Sequence, residues 1–293
     1  MRIEWPTLAL IVASYVGLWL GVFVLPGVSM ALALAVLIPV IALQSSLQHE
    51  VIHGHPFAER RLGEALVFPS FNLAIPYLRF RDTHLAHHMD ATLTDPYDDP
   101  ETNYLDPAVW RTLPRAQQRL LNANNTLAGR MILGPLIGQV SFMAADWRAI
   151  RAGDRAVLAA WAWHLPSTVA LVALVAASPL PLWAYLLACY AGLSILKIRT
   201  FLEHQAHERA RGRTVIIEDR GPLAFLFLNN NLHVVHHMHP KLPWYRLPRI
   251  YWNNREAYLG RNAGYSYPGY GAIFRQHLLR AKDPVPHPLY PEN

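Results

Sequence analysis

Near the start of the chain stands the stretch WPTLALIVASYVGLWLGVFVLPGVSMALALAVLIPVIALQSSLQH, residues 5–49, which contains no Asp, Glu, Lys or Arg. It is long enough for two membrane-spanning helices of about 20 residues each, with a tight turn between them. Gly and Pro favour turns, so LPGVS at residues 25–29 is expected to separate the two spans. The hydrophobic run continues into the second span without a small-residue cleavage site, which indicates an anchor rather than a secretory signal peptide.

A second charge-free stretch covers residues 156–196, and ASPLP at residues 177–181 divides it in the same way. Four buried helices of a soluble protein are the alternative, but two charge-free hairpins argue against it. We therefore predict an all-α membrane protein with four transmembrane helices in two hairpins. The predicted spans lie near residues 7–25, 29–47, 156–176 and 180–197.

The rest of the chain is expected to complete a single membrane domain, residues 1–293, with a cytoplasmic histidine-rich cap formed by residues 48–155 and 198–293. Two apolar stretches of this cap, residues 62–78 and 131–147, are interrupted by Pro or Gly and flanked by Arg. Such stretches suit helices that lie along a membrane surface. We therefore predict interfacial helices on the cytoplasmic leaflet.

The distribution of basic residues predicts the orientation. Both hairpin turns are uncharged, whereas the other connections are rich in Arg, for example Arg148, Arg151 and Arg155. The positive-inside rule then places both termini and the cap in the cytoplasm, as in a multi-pass protein of a bacterial inner membrane. Because the Arg residues flank membrane spans, the net charge of +6 suits anionic lipid headgroups better than nucleic acid. Cys189 is the only cysteine, which excludes an internal disulfide, a thiolate zinc cluster and an iron–sulfur centre.

Three histidine-rich motifs stand outside the predicted spans: HEVIH at residues 49–53, HLAHH at residues 84–88 and HVVHH at residues 233–237. On a helix, positions i, i+3 and i+4 share one face, so each motif is expected to present its imidazoles together. The predicted topology brings all three motifs to the same side of the membrane. They are therefore candidates for one shared metal centre.

The number of these histidines predicts more than one metal ion. The motifs supply eight histidines, whereas a tetrahedral zinc site uses only about three or four protein ligands. Eight or nine histidines fit two ions with about four or five ligands each. Imidazole suits iron, zinc and copper alike, so the ligand type leaves the metal open.

The motifs resemble the histidine boxes HxxxH, HxxHH and HxxHH of the integral-membrane fatty acid desaturase and hydroxylase superfamily. The third box continues as MHPKLPWYRLP, which is similar to the HHxxP-type extension of that superfamily, and the resemblance covers residues from about 30 to 255. It implies a di-iron centre that uses dioxygen to attack unactivated C–H bonds of lipids, with no catalytic residue beyond the metal ligands. The resemblance assigns as iron ligands His49, His53, His84, His87, His88, His233, His236 and His237.

The superfamily uses a further ligand near the inner end of the fourth span, where this chain has RTFLEHQAHE. The resemblance gives this role to His204, with His207 as the alternative. His55 and His239 each follow a box by two residues and are expected beside the ligands or on the surface. His164 lies within the third span, where a hydrogen-bonded packing role is expected.

Metal-bound imidazoles need a partner for their second ring nitrogen. Residues that flank the boxes and could supply one are Glu50, Asp82, Asp90, Glu203, Glu208, Asn229, Asn230 and Asn231. The acidic segment TDPYDDPE, residues 94–101, is interpreted as a structural loop. The tail beyond Tyr265 is interpreted as a cap with little chemistry of its own.

The resemblance favours an O2-dependent fatty acid desaturase that acts on acyl lipids in the membrane and binds no nucleic acid. No fused redox motif is visible, so electrons are expected from a separate carrier of the ferredoxin or cytochrome b5 type. A carotenoid ketolase or hydroxylase, or a lipid hydroxylase, is the alternative, because the ketolases have similar boxes and a similar proline–tryptophan extension. A metal transporter is a remote alternative, since it would need ionisable residues within its spans and only His164 qualifies.

Overall fold

The computed structural model describes residues 3–88 and 91–290, and these residues are mostly α-helical. The α-helices are α1 (Trp5–Trp19), α2 (Met30–Ile52), α3 (Arg60–Val67), α4 (Tyr77–His87), α5 (Pro107–Thr112), α6 (Arg115–Asn124), α7 (Leu127–Ile132), α8 (Gly134–Arg151), α9 (Arg155–Ala176), α10 (Leu182–Thr200), α11 (Pro222–Leu226), α12 (His233–Met238), α13 (Leu247–Asn253), α14 (Arg255–Arg261) and α15 (Tyr270–His277). A π-helical turn and 3-10 turns cover Leu20–Val24, Leu25–Gly27, Ala210–Gly212 and Trp244–Arg246. Strands β1 (Ile216–Ile217) and β2 (Ser266–Tyr267) pair in parallel, with Ile216 opposite Ser266.

Four helices are long and apolar enough to cross a membrane, which confirms the predicted fold class. They are Trp5–Gly27, Met30–Ile52, Arg155–Ala176 and Leu182–Thr200. The second helix runs further than expected because its hydrogen-bonded turns continue through the polar residues that follow the apolar stretch. His49 therefore lies on the spanning helix itself and not beyond it.

The chain forms two compact units. Unit 1 contains residues 1–81 and 135–196, and unit 2 contains residues 82–134 and 197–293. That the whole chain acts as a single membrane domain stays a prediction.

In unit 1, the first two spanning helices lie close together because the first helix places glycine at their contact. A Cβ atom on Gly17 would lie 2.6 Å from the side chain of Val40, and one on Gly21 would lie 2.5 Å from that of Leu37. Neither position has room for a larger residue. The turn between the helices ends at Ser29, whose hydroxyl accepts a hydrogen bond from the backbone N–H of Leu32 and caps α2.

The chain after α3 differs from the interfacial helix predicted for residues 62–78. The helix ends at Val67, and residues 68–76 form a loop in which Pro69 and Pro76 interrupt the helical pattern. The second predicted helix, residues 131–147, corresponds to α8, Gly134–Arg151. Its place along the leaflet stays a prediction.

Polar side chains of three spanning helices hold the loop of residues 68–76. Gln44 Nε2 donates a hydrogen bond to the carbonyl of Pro69 at 3.0 Å. The Tyr185 hydroxyl donates to the carbonyl of Phe71 at 2.8 Å, and His164 Nε2 donates to the carbonyl of Leu73 at 3.0 Å. Buried carbonyls outside regular helices need such partners. His164 therefore has the hydrogen-bonded packing role that its position within a span suggests.

In unit 2, helix α12 buries its two valines and carries its histidines on the remaining faces. Val234 and Val235 are 3% and 0% exposed, and they belong to an apolar cluster with Ile216, Leu247 and Tyr251. The helix is only six residues long, so this packing, and not helix propensity, holds it in place.

The tail of unit 2 supports the backbone around His204. The Lys282 ammonium donates to the carbonyl of His204, and the neighbouring Asp283 carboxylate accepts from the Tyr104 hydroxyl. The same Tyr104 oxygen accepts from the backbone N–H of Ala206 at 2.9 Å. The tail thus fixes the segment that carries the predicted ligand His204. This role differs from the cap with little chemistry that the sequence indicates.

Candidate metal centre

Boxes two and three both lie in unit 2. Box two lies at the end of α4, and His88 directly follows its last residue, His87. The backbone N–H of His88 still donates to the carbonyl of His84 at 3.2 Å, so the box keeps its helical spacing. Box three begins α12 with His233.

The turn before box three is held in an uncommon backbone conformation. Leu228 and Asn229 have positive φ angles of 51° and 55°, a region that Asn adopts readily and in which Leu is strained. Asn231 then anchors the start of α12, because its Nδ2 donates to the carbonyls of Ile217 and Asp219 at 2.6 and 3.1 Å. Asn231, considered from sequence as a partner of a ring nitrogen, instead holds the backbone that leads into the box.

One group of imidazoles in unit 2 contains His84, His88 and His236, whose candidate ligand nitrogens all lie within 4.8 Å of one another. The Nε2 atom of His88 lies 3.0 Å from that of His84 and 3.2 Å from that of His236. His84 and His236 are each 2% exposed. This group brings boxes two and three together.

A second group contains His87, His204, His233 and His237, again with candidate ligand nitrogens within 4.8 Å of one another. The Nε2 atom of His204 lies 2.9 Å from that of His87 and 3.1 Å from that of His233. The group thus combines boxes two and three with His204. The structure brings together seven of the predicted ligands in these two groups of unit 2.

Each HxxHH box divides its histidines between the two groups, which differs from the expectation that a box presents them together. In box two, His84 and His88 belong to one group and His87 to the other. In box three the division is reversed, since His233 and His237 share a group and His236 lies in the other. Positions i and i+4 are only about 40° apart around a helix, whereas i+3 and i+4 are about 100° apart. The spacing therefore serves two neighbouring sites from one helix.

His49 and His53 of the first box form a pair in unit 1. His49 lies on α2 and His53 directly follows that helix, with ring centroids 4.9 Å apart. His49 is 2% exposed. That this pair binds iron stays a prediction.

Two carboxylates of the loop at residues 94–101 hold the second ring nitrogens of box two. Asp99 Oδ1 lies 2.8 Å from His87 Nδ1, and Glu101 Oε1 lies 3.1 Å from His84 Nδ1. Asp99 is itself fixed, because its Oδ2 accepts from the backbone N–H of Thr94 at 2.8 Å. The interpretation of this segment as a purely structural loop was wrong. The acidic composition of TDPYDDPE directly after a histidine box was the available signal.

Among the flanking residues considered from sequence, Glu203 and Asn230 act together at box three. Asn230 Nδ2 donates to Glu203 Oε1 at 3.2 Å, and its Oδ1 lies 3.0 Å from His233 Nδ1. Glu208 is exposed. Asp90 lies outside the described residues.

Burial and charge act in opposite directions on the histidines of the second group. Burial holds the pKa values of His204 and His233 well below the usual range of histidine. Burial also lowers the pKa of His87, but the carboxylates of Glu101 and Asp99 outweigh it and raise that pKa to about 9. Neutral His204 and His233 each keep a lone pair for a metal ion.

The remaining candidate histidines lie outside both groups. His207 Nδ1 accepts a hydrogen bond from the backbone N–H of Arg209 at 3.0 Å. His239 follows the last residue of α12, and its Nε2 lies 3.3 Å from the Tyr258 hydroxyl. His55 Nδ1 lies 2.8 Å from a carboxylate oxygen of Glu4. Of the two candidates for the ninth ligand, the structure thus groups His204 with the boxes and not His207.

A family model described as Fatty acid desaturase matches residues 28–269, which include all three boxes and His204. The chain belongs to the fatty acid desaturase family. This confirms the resemblance found in the sequence and makes the protein a membrane oxidoreductase of that superfamily. No curated protein matches the chain.

The family implies iron, and the hydrogen-bond partners of the imidazoles fit a metal ion. The Nδ1 atoms of His84, His87 and His233 face the acceptor oxygens of Glu101, Asp99 and Asn230, respectively. In a metal complex, Nδ1 would carry the proton and the lone pair of Nε2 would bind the ion. These lone pairs converge on neighbouring Nε2 atoms at 2.9–3.2 Å.

The nitrogen separations themselves also fit. Two imidazole nitrogens about 2.0–2.1 Å from one ion lie about 2.8–3.0 Å apart at a right angle and about 3.3–3.4 Å apart at the tetrahedral angle. The observed separations of 2.9–3.2 Å are shorter than the tetrahedral values. Separations of this size are compatible with pairs of imidazoles that share one ion.

Proposed function

We propose that this protein is a di-iron, O2-dependent desaturase that introduces a double bond into the acyl chain of a membrane lipid. The observation that carries the proposal is the convergence of seven imidazoles in two groups, with carboxylates on the opposite ring nitrogens. Iron, when bound, supplies the activation of dioxygen that cleavage of an unactivated C–H bond requires. The chain supplies the ligands, their orientation and the exclusion of water.

The proposed ligand set for two ions contains nine histidines. His49 and His53 come from box one and His204 from the segment after α10, and the other six come from boxes two and three. The full set is His49, His53, His84, His87, His88, His204, His233, His236 and His237.

The reaction needs a reductant from outside the chain. One turnover converts R–CH2–CH2–R′, O2, two electrons and two protons into R–CH=CH–R′ and two molecules of water. Cys189 is the only cysteine of the chain, and a [2Fe–2S] or [4Fe–4S] cluster requires about four ligands of that kind. A separate one-electron carrier of the ferredoxin or cytochrome b5 type would supply the electrons in two steps.

The experiment is expression in a host of defined lipid composition, followed by lipid extraction, product analysis and iron determination on the purified protein. We expect new double bonds in acyl chains and about two iron ions per chain. His236→Ala should abolish both, whereas the matched control His277→Ala should retain them. Hydroxylated lipid or oxygenated carotenoid would instead identify a hydroxylase or ketolase. Full activity with one tightly bound zinc would refute the di-iron proposal.

The proposed orientation places both termini and the histidine boxes in the cytoplasm. Single cysteines at Val28 and Ser178, in a Cys189→Ala background, should react only with reagent added from the far side. A cysteine at the exposed Arg211 serves as the cytoplasmic control. Labelling of Val28→Cys or Ser178→Cys from the cytoplasm would contradict this orientation.

A further inference from the structure

The segment from Arg220 to Arg255 contains the third box and has no Asp or Glu. It carries five cations, of which Arg255 pairs with Glu218 and Glu256. Among the described residues, Lys241, Arg246 and Arg249 form no ion pair, and all three side chains are exposed. Arg246 also lies over the ring of Tyr245, at 5.9 Å from its centroid. Exposed cations without an ion pair are available to an external anionic partner.

A concave apolar surface lies within this segment. Directly after the third box, a surface pocket of about 430 Å³ is lined by Met238, His239, Pro240, Lys241, Leu242 and Ile250. Met238 is 39% exposed. Arg246 precedes Ile250 by four residues at the start of α13, so helical geometry places both on one side of the helix. An apolar centre with a charged rim is the usual anatomy of a protein interface.

The pocket adjoins the candidate metal centre along the polypeptide chain. Met238 is bonded to His237, whose candidate ligand nitrogen lies within 4.8 Å of those of His87, His204 and His233. Electron transfer slows steeply with distance, so a donor seated at Met238 would have a short path to a ligand. The same short helix thus connects the surface pocket with both imidazole groups.

We propose that the pocket at Met238, together with Lys241, Arg246 and Arg249, is the docking site of an acidic one-electron carrier protein. The inference rests on the proposed function, which requires an external source of two electrons per turnover. The carrier would place an apolar side chain in the pocket and acidic residues against the three cations. Opposite charges across such a rim raise the association rate and make it sensitive to salt.

The test is the steady-state KM for a negatively charged plant-type [2Fe–2S] ferredoxin, measured on the iron-loaded full-length protein in phosphatidylcholine nanodiscs. Lys241→Glu/Arg246→Glu should raise this KM at least about tenfold at low salt and weaken its dependence on ionic strength. Iron content should equal that of the wild type. Arg115→Glu/Arg119→Glu is the matched control, since both side chains are exposed on α6 and the change in charge is the same. That control should leave the KM unchanged.

An unchanged KM in the Lys241/Arg246 variant, or an equal increase in the Arg115/Arg119 control, would overturn the docking site.

A lipid surface is the competing occupant of a basic segment. If the Lys241/Arg246 variant differs from the wild type only when phosphatidylglycerol is added to the nanodiscs, the segment binds anionic lipid and the proposal fails. If the wild-type protein forms product with dithionite and the variants have the wild-type KM, the docking site fails but the proposed function stands. If the wild-type protein forms no product with ferredoxin or with dithionite, the proposed function itself fails.

Discussion

Two loops, residues 68–76 in unit 1 and residues 94–101 in unit 2, organise polar groups in opposite ways. In the first, neutral side chains of spanning helices donate to the backbone carbonyls of the loop, as Tyr185 does to Phe71 at 2.8 Å. In the second, the loop itself supplies the side chains, and Asp99 accepts from an imidazole at 2.8 Å. The first arrangement satisfies buried backbone, whereas the second orients candidate ligands and adds negative charge. Variants that affect the loop of residues 68–76 should therefore change stability, whereas variants of the loop of residues 94–101 should change metal binding.

The loss of a ligand sets the upper limit for effects at the metal centre. We expect His204→Ala to lose more iron affinity than the roughly 10–100-fold that an outer partner contributes, and to lose activity with it. His207→Ala, three residues away, should keep both, because that ring binds the backbone of Arg209. Iron determination and product analysis on the two proteins side by side measure the difference. Full activity without His204, with iron loss in His207→Ala, would move the ninth ligand to His207.

Asp99→Ala should give the largest effect of either loop. It removes the acceptor of His87 Nδ1, and we expect a loss of iron affinity of roughly 10–100-fold. Asp98→Ala is the matched control, because that neighbouring carboxylate is exposed. Competition with a calibrated chelator measures both affinities. Equal affinities for the two variants would show that Asp99 does not position the ligand.

The contrast between the loops also explains what the sequence could predict. The four spans follow from charge-free stretches, and the boxes follow from spacing within one turn of helix, so both signals are local. The partner of His87 lies 12 residues away and that of His84 lies 17 residues away, within a loop that no periodic pattern describes. The hydrogen bond from Lys282 to His204 joins residues 78 positions apart. Such contacts depend on tertiary packing, which composition and periodicity do not encode.

Tyr185→Phe tests the loop of unit 1. The change removes the hydroxyl donor of the buried Phe71 carbonyl, which keeps a weak donor in the Cys189 thiol at 3.4 Å. The free energy of unfolding should therefore fall by about 0.5–1.5 kcal/mol. Iron content per folded protein should stay at the wild-type value. Thermal unfolding in detergent, with iron determination on the same samples, measures both. A variant of normal stability that has lost iron would remove the distinction between the two loops.

Among the variants of the ligands and their carboxylate partners, Glu101→Gln should lower iron affinity least, and its main effect should be electrostatic. Glu101 Oε1 lies 3.1 Å from His84 Nδ1, but its side chain is 27% exposed, whereas that of Asp99 is 2% exposed. The glutamine oxygen can still accept the hydrogen bond, so iron affinity should fall by less than about tenfold. The lost negative charge acts on His87, because the charge of Glu101 is the largest single cause that raises that pKa to about 9.

In the metal-free protein, removal of this charge disfavours the imidazolium form of His87, and its pKa should therefore fall in Glu101→Gln. Glu101→Asp, which keeps the charge, should retain most of the elevation. NMR titration of nitrogen-labelled histidine in the iron-free protein measures the pKa directly. A merely structural role of Glu101 would leave the His87 pKa unchanged in the glutamine variant, and that result would limit electrostatic control of the imidazoles to Asp99.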